Sequence, residues 1–327
     1  MPEFKLVDAG EAQIRVAMQG QGPLVLMVHG FPESWYSYRH QIAPVAAAGF
    51  TAVAMDMRGY GGSQKFTEVS AYDTAATIRD VLGVANALSP QAGVILIGHD
   101  WGAPTVYNSA LIHPDRCVAL ATMSVAYSGV PERDFAQIIK EIFDDRNRFF
   151  YQSFFQEIGK AEGLYDKDPR DFLRRFYYAL SGDAKPGSWP MKKKSDATLL
   201  DGLEDPVVFP AWMGDTDLDY YTQEFASSGF FGPISRYRNH TRDFNFLQPY
   251  KGRKINQPAF FIGGDRDMAF NMFNSTVNPL DTMRHFVTNL EGAHILRGCG
   301  HWTQQERPQE VNDLLVPWLR TLRGRVV

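Results

Sequence analysis

Residues 94–102 read Val94-Ile95-Leu96-Ile97-Gly98-His99-Asp100-Trp101-Gly102. An apolar run of strand length ends on one glycine, and a helix-compatible stretch, Ala103 to Leu111, follows another. Small residues two positions either side of Asp100 allow a strained strand-to-helix turn, the nucleophile elbow, which pushes the central side chain out at the carboxyl end of a sheet. In most elbows that residue is serine; here it is a carboxylate. A serine attacking saturated carbon would leave an ether that water cannot readily cleave. An aspartate attacking the same carbon leaves an ester, which a second step can hydrolyse. Asp100 therefore points to a substrate with an electrophilic sp³ carbon, such as an epoxide or an alkyl halide. The plainer reading, an Asp that caps a helix, leaves the flanking glycines and the preceding strand unexplained.

Outward from this elbow, short β-rich runs recur at Leu24 to Val28, Thr51 to Met55, Val118 to Met123, Ala259 to Ile262 and His285 to Leu290. Their continuous rather than alternating apolarity marks buried parallel strands. Phe4 to Val7 and Ile14 to Met18 are expected to add an antiparallel hairpin at one edge. Ile78, Val81, Leu82, Ala85 and Leu88 recur at helical spacing, and Val311, Leu314, Leu315, Trp318, Leu319 and Leu322 form a second stripe. Pro317 interrupts that second stripe, so a kink or a break into two helices is expected there. Alternating strand and helix give an α/β class with a doubly wound, mostly parallel sheet. The rhythm stops after Met123 and resumes near Pro258, a gap too long for a loop. That gap is rich in aromatics, among them Phe149, Phe150, Tyr151, Phe154, Phe176 and Tyr178, at helical periodicity. The expected organisation is a core in two parts, residues 1–129 and 246–327, with residues 130–245 as an inserted helical lid. Ligands of open α/β sheets bind at the carboxyl edge, so such a lid would enclose the site.

Composition narrows the partners. Among 327 residues, 33 Lys and Arg face 37 Asp and Glu, for a net charge of −4, which argues against a nucleic-acid footprint. The one tight basic run, Lys192-Lys193-Lys194, reads as a solvated surface segment. No stretch approaches the length of a membrane span, and the N-terminus lacks the apolar core of a signal peptide. Cys117 and Cys299 offer neither a disulfide framework nor a metal pattern, so reduced thiols and a cytoplasmic location are expected.

If Asp100 is the nucleophile, an acid should follow a later strand and a histidine should follow the acid. Phe260-Phe261-Ile262-Gly263-Gly264-Asp265-Arg266-Asp267 ends a strand with two candidate acids, of which Asp267 is favoured and Asp265 is the turn or capping residue. Gly298-Cys299-Gly300-His301-Trp302 sets His301 in a glycine-rich loop before the final helix, where it would be the base that activates water. An oxyanion hole needs two backbone N–H donors. Trp101 would supply one, and Phe31, in His29-Gly30-Phe31-Pro32, the other. Pro32 is expected to set a tight turn, with a cis bond as one option. The glycine-rich Asp56-Met57-Arg58-Gly59-Tyr60-Gly61-Gly62-Ser63 matches neither a dinucleotide fingerprint nor a phosphate loop and reads as structural.

Taken together, His29-Gly30-Phe31-Pro32-Glu33-Ser34-Trp35, the Asp56 to Ser63 segment, Gly98-His99-Asp100-Trp101-Gly102, Gly264-Asp265-Arg266-Asp267 and Gly300-His301-Trp302 resemble the epoxide hydrolases of the α/β-hydrolase fold. The resemblance covers essentially the whole chain. It implies conversion of epoxides to vicinal diols with water as the only co-reactant, without metal or organic cofactor, on a small apolar substrate. It further implies two lid tyrosines that hold and protonate the epoxide oxygen. Tyr151, in Phe150-Tyr151-Gln152, and Tyr237, in Ser235-Arg236-Tyr237-Arg238, stand in the matching settings, with Tyr165, Tyr177, Tyr178, Tyr220 and Tyr221 in reserve. A homodimer is implied by the family alone. Two alternatives share the fold: a haloalkane dehalogenase with the same Asp nucleophile, and a non-catalytic ligand-binding protein.

Overall fold

The computed structural model describes residues 2–190, 192–271 and 278–324. Among them eight strands form one sheet: β1 (Glu3–Asp8), β2 (Gln13–Gln19), β3 (Leu24–Val28), β4 (Thr51–Met55), β5 (Val94–His99), β6 (Cys117–Met123), β7 (Ala259–Gly264) and β8 (Leu290–Leu296). Their spatial order is β1-β2-β4-β3-β5-β6-β7-β8. β2 runs antiparallel to β1 and β4, and every other neighbouring pair is parallel. Alternate residues of β3 divide between two cores. Leu24, Leu26 and Val28 pack with Val81 and Val84 of helix Thr74–Leu88, whereas Val25 and Met27 pack with Leu315 and Leu319 of helix Pro308–Leu322. Both faces of the sheet are therefore covered, which is why its central strands carry apolar residues at every position.

Two expectations need correction. The last strand is not at 285–290: helix Pro279–Phe286 occupies the start of that stretch, with Asn278 accepting from Leu280 N at 2.9 Å as its cap, and β8 follows at Leu290–Leu296. β8 is a half-exposed edge strand, so it lacks the continuous apolarity that betrays its buried neighbours. Nor does Pro317 divide the final helix, which runs unbroken over Pro308–Leu322. The carbonyl that loses its donor belongs to Asp313. Both Asp313 and Pro317 are exposed, so the break in the ladder falls on the solvent side while the opposite, buried stripe continues.

Between β6 and β7 the chain is helical, with helices Phe135–Ile142, Pro169–Leu180, Asp215–Ser228 and His240–Leu247 among shorter turns. Asp168 caps the second of these by accepting from Asp171 N at 3.0 Å. Aromatic pairs bind the segment to itself: Tyr165 stacks on Phe172 with centroids 3.9 Å apart, and Phe225 on Phe230 at 4.5 Å. Phe31, just beyond the carboxyl end of β3, meets Phe155, Phe176 and Tyr237 edge-on. The aromatic segment thus packs over the carboxyl edge of the sheet.

Candidate active site

Asp100 follows β5 directly and has a φ of +49°, a left-handed conformation that costs an L-residue of order 1 kcal/mol or more. Two glycines allow the crowding around it. A Cβ on Gly102 would sit 2.0 Å from Val28 O, and one on Gly30 would sit 2.2 Å from Asp100 Oδ1. The turn thereby delivers the carboxylate beside the loop after β3, where Phe31 N donates to Asp100 Oδ1 at 2.8 Å. The Phe31–Pro32 bond is cis. Trp101 N lies at the start of helix Gly102–Ile112, where N–H groups lack intrahelical acceptors.

His301 stands between two carboxylates. Its Nε2 is 3.3 Å from Asp100 Oδ2, and its Nδ1 donates to Asp267 Oδ1 at 3.0 Å. Its loop is fastened by the buried Glu306, which accepts from Gly300 N, Gly182 N and Trp302 N at 2.8–3.0 Å. His301 N in turn donates to Leu180 O at 2.9 Å. Of the two candidate acids, Asp267 faces the imidazole, while Asp265 accepts from Gly298 N at 2.7 Å and steadies the turn. Burial would lower the His301 pKa, but the charges of Asp267 and Asp100 outweigh it and hold the ring well above its usual range. Burial alone would raise the Asp100 carboxyl; the hydrogen bond and charge of His301 reverse this and keep it below the usual carboxylate range. Each shift favours the charged form of its group.

These groups open onto an apolar cleft lined by Phe31, Phe149, Phe150, Phe176, Trp189 and Met268 together with Asp100, His301, Tyr151 and Tyr237. The rings of Tyr151 and Tyr237 meet edge-on at 5.8 Å. Burial raises both phenols far above their ordinary pKa, so both remain protonated at neutral pH. Three of the five reserve tyrosines are engaged elsewhere: Tyr177 OH donates to Pro32 O, Tyr221 OH to Gln305 Oε1, and Tyr220 OH accepts from Trp35 Nε1. Lys193 corrects the reading of its basic run as a solvated segment. It lines the cleft, donates to Thr198 O and Leu199 O, lies over the Phe149 ring, and is pushed down to about 8 by burial. Among the described residues no group of His, Cys, Asp and Glu is arranged to hold a metal ion, and no helix is long and apolar enough to cross a membrane.

Residues 23–160 match the family model of the alpha/beta hydrolase fold. The chain is 34% identical to Epoxide hydrolase B of Mycobacterium tuberculosis over 93% of each protein. It is 36% identical to Bifunctional epoxide hydrolase 2 of Rattus norvegicus over 92% of this chain and 52% of the rat protein. A solved epoxide hydrolase from an endophytic Streptomyces superposes with a TM-score of 0.93 at 41% identity, covering 99% of this chain and 96% of that one. The chain belongs to the epoxide hydrolases. It is an enzyme of the α/β-hydrolase fold.

Sequence reasoning assigns no role to two features of the enzyme's site, Ser124 and a buried His99–Glu33 pair. Ser124, at φ +71° just after β6, donates through Oγ to Asp267 Oδ2 at 2.5 Å and lies 2.9 Å from His301 Nδ1. Beneath His301, the fully buried His99 donates through Nδ1 to Glu33 Oε2 at 2.8 Å and through Nε2 to the His301 carbonyl at 2.7 Å. Both ring nitrogens face acceptors. Burial opposes the charge, but Glu33 prevails, raising His99 and lowering Glu33. Gln304 and Gln305 each donate to the other Glu33 oxygen at 3.1 Å, so the buried carboxylate is fully engaged. A carboxylate in the otherwise apolar His-Gly-Phe-Pro-Glu turn is the one sequence signal for this pair. For Ser124 there is none.

Proposed function

We propose that the enzyme opens epoxides to vicinal diols through an ester on Asp100. The observation that carries this reading is His301, within reach of both Asp100 and Asp267 in a cleft that two protonated phenols also line. Asp100 attacks one epoxide carbon, the carbon–oxygen bond breaks, and the emerging alkoxide takes a proton from Tyr151 or Tyr237. Esterification abolishes the Asp100 charge, one of the two that raise His301. The imidazole pKa falls accordingly and the imidazolium gives up a proton that restores the phenol, so the ring becomes a base only once there is an ester to hydrolyse. His301 then takes a proton from water, which attacks the ester carbonyl while the Phe31 and Trp101 N–H groups hold the oxyanion. Collapse breaks the acyl–oxygen bond, the departing alkoxide takes the proton of the new Asp100 carboxyl, and the diol leaves an ionised Asp100. Asp267 fixes the tautomer and stabilises the imidazolium. Residues 130–245 act as a lid between the core parts 1–129 and 246–327, excluding bulk water. The cleft's aromatic lining favours a small apolar epoxide. The dehalogenase alternative has less support: Phe31 brings no side-chain donor for a halide, and the paired phenols suit an oxygen.

The oxygen atoms test the route. In heavy-oxygen water under single turnover, the first diol is expected to be unlabelled, because its new oxygen comes from Asp100. The peptide containing Asp100 is expected to carry the label. Label in the first diol would mean direct attack by water and would make Asp100 a base. Ser124 takes part by holding the second Asp267 oxygen, and hydrogen bonds to charged groups contribute about 1.5–3 kcal/mol. Ser124→Ala is therefore expected to lower kcat about tenfold with KM little altered. An unchanged kcat in a steady-state assay would exclude this role.

A further inference from the structure

The phenol of Tyr151 has a partner that the reaction above does not use. Gln152 Nε2 donates to Tyr151 OH at 2.8 Å, and Gln152 Oε1 lies 2.7 Å from His240 Nε2. Gln152 is 6% exposed and His240 9%. His240 and Gln152 line a separate cavity together with Trp101, Phe135, Arg236 and Asp243. Phe135 meets its ring edge-on at 5.1 Å. Burial and the Arg236 charge push His240 down to about 4, so the ring is neutral in working conditions and carries one N–H.

A phenol has a single hydrogen, and its direction decides what it can do. With an amide N–H₂ on its oxygen lone pair, Tyr151 keeps that hydrogen free for the epoxide oxygen. The same N–H₂ stabilises the negative charge that builds on the phenol oxygen as the proton leaves. A rotated amide would present Oε1 instead and would capture the hydrogen. An Nε2–H on His240, donating to Oε1, opposes that rotation.

We propose that Gln152 is a positioning residue that sets the hydrogen-bond polarity of Tyr151, and that His240 locks the Gln152 amide in the donating orientation. The inference rests on Tyr151 acting as a proton donor to the epoxide. It distinguishes Gln152 and His240 from packing residues, because it ties function to the direction of hydrogen bonds rather than to volume.

The test measures the two half-reactions separately, by rapid-quench single turnover of styrene oxide with intact-protein mass spectrometry. Gln152→Glu keeps the shape and in its ionised form, assayed at alkaline pH, can only accept, so it takes the Tyr151 hydrogen. Its alkylation rate is expected to fall about a hundredfold, as for loss of one oxyanion-type donor, with ester hydrolysis unaffected. Gln152→Met neither donates nor accepts and is expected to lose about tenfold in alkylation. His240→Gln retains an N–H donor and is expected to alkylate close to the parent rate, whereas His240→Leu should follow Gln152→Met. Gln152→Glu alkylating as fast as Gln152→Met, or equal slowing of both half-reactions, overturns the proposal. The His240 pair decides the matter if a Gln152 variant does not fold: equal alkylation by His240→Gln and His240→Leu overturns it. Tyr151→Phe separates the layers. If Tyr151→Phe alkylates normally, the donor role of Tyr151 falls and this inference with it. If Tyr151→Phe is slow while Gln152→Glu is not, only the inference falls.

Discussion

His301→Gln is expected to consume about one epoxide per enzyme and then stop, because in the proposed route alkylation needs an ionised Asp100 and the phenol donors but no base, while ester hydrolysis needs one. Intact-protein mass spectrometry should show the chain heavier by one substrate. The electrostatics add a pH signature. His301 is what holds the Asp100 carboxyl low against burial, so its removal lets that carboxyl rise. Alkylation requires the ionised form, and adduct formation by the variant is therefore expected to quicken as the pH increases. The product-forming step stays blocked at every pH. A folded His301→Gln that neither turns over nor gains mass would contradict this division of labour.

The tyrosine pair carries the second large effect. Ring opening creates an alkoxide, a poor leaving group unless a weak acid supplies a proton. Both phenols are kept protonated by burial, so each can donate at neutral pH. If each contributes like one oxyanion-hole donor, Tyr151→Phe and Tyr237→Phe each lose about 3 kcal/mol, on the order of a hundredfold in alkylation, and the double variant is almost inactive. The substitution leaves the rings in place. Tyr151 keeps its edge contacts with Phe155 and Trp189, and Tyr237 keeps those with Phe31 and Trp101. Stability should change little, and thermal unfolding checks that the loss is chemical. A double variant with near-parent turnover removes both residues from the mechanism.

Much of this protein is legible along the chain because its determinants are local. A parallel strand buried on both faces must be apolar at every position, and Leu24–Val28 and residues 94–97 announce themselves that way. The crowded turn at Asp100 needs small residues at fixed offsets, so Gly98 and Gly102 mark it before any coordinate exists. The carboxylate at its apex then limits the chemistry to electrophilic carbon, and the order of Asp100, Asp267 and His301 follows the order of the strands. The edge strand β8 is missed for the same reason that the others are found: half-exposed, it need not be apolar throughout.

Tertiary structure decided what depends on groups far apart in the chain. Ser124 reaches Asp267 across 143 positions, and His99 reaches the His301 carbonyl across 202. No local pattern records such partners, because serine, glutamate and histidine are ordinary residues until folding strips away their water and leaves one neighbour to satisfy each. The choice of Asp267 over Asp265 comes from which carboxylate the β7 loop turns toward the imidazole. The neutral, one-proton state of His240 and the lowered pKa of Lys193 arise from burial in the helical segment. The sequence alone determined the fold and pointed to the candidate site residues, since backbone geometry demands particular residues at short spacing. Protonation states and hydrogen-bond directions came only with the packed structure, since desolvation and long-range pairing set both.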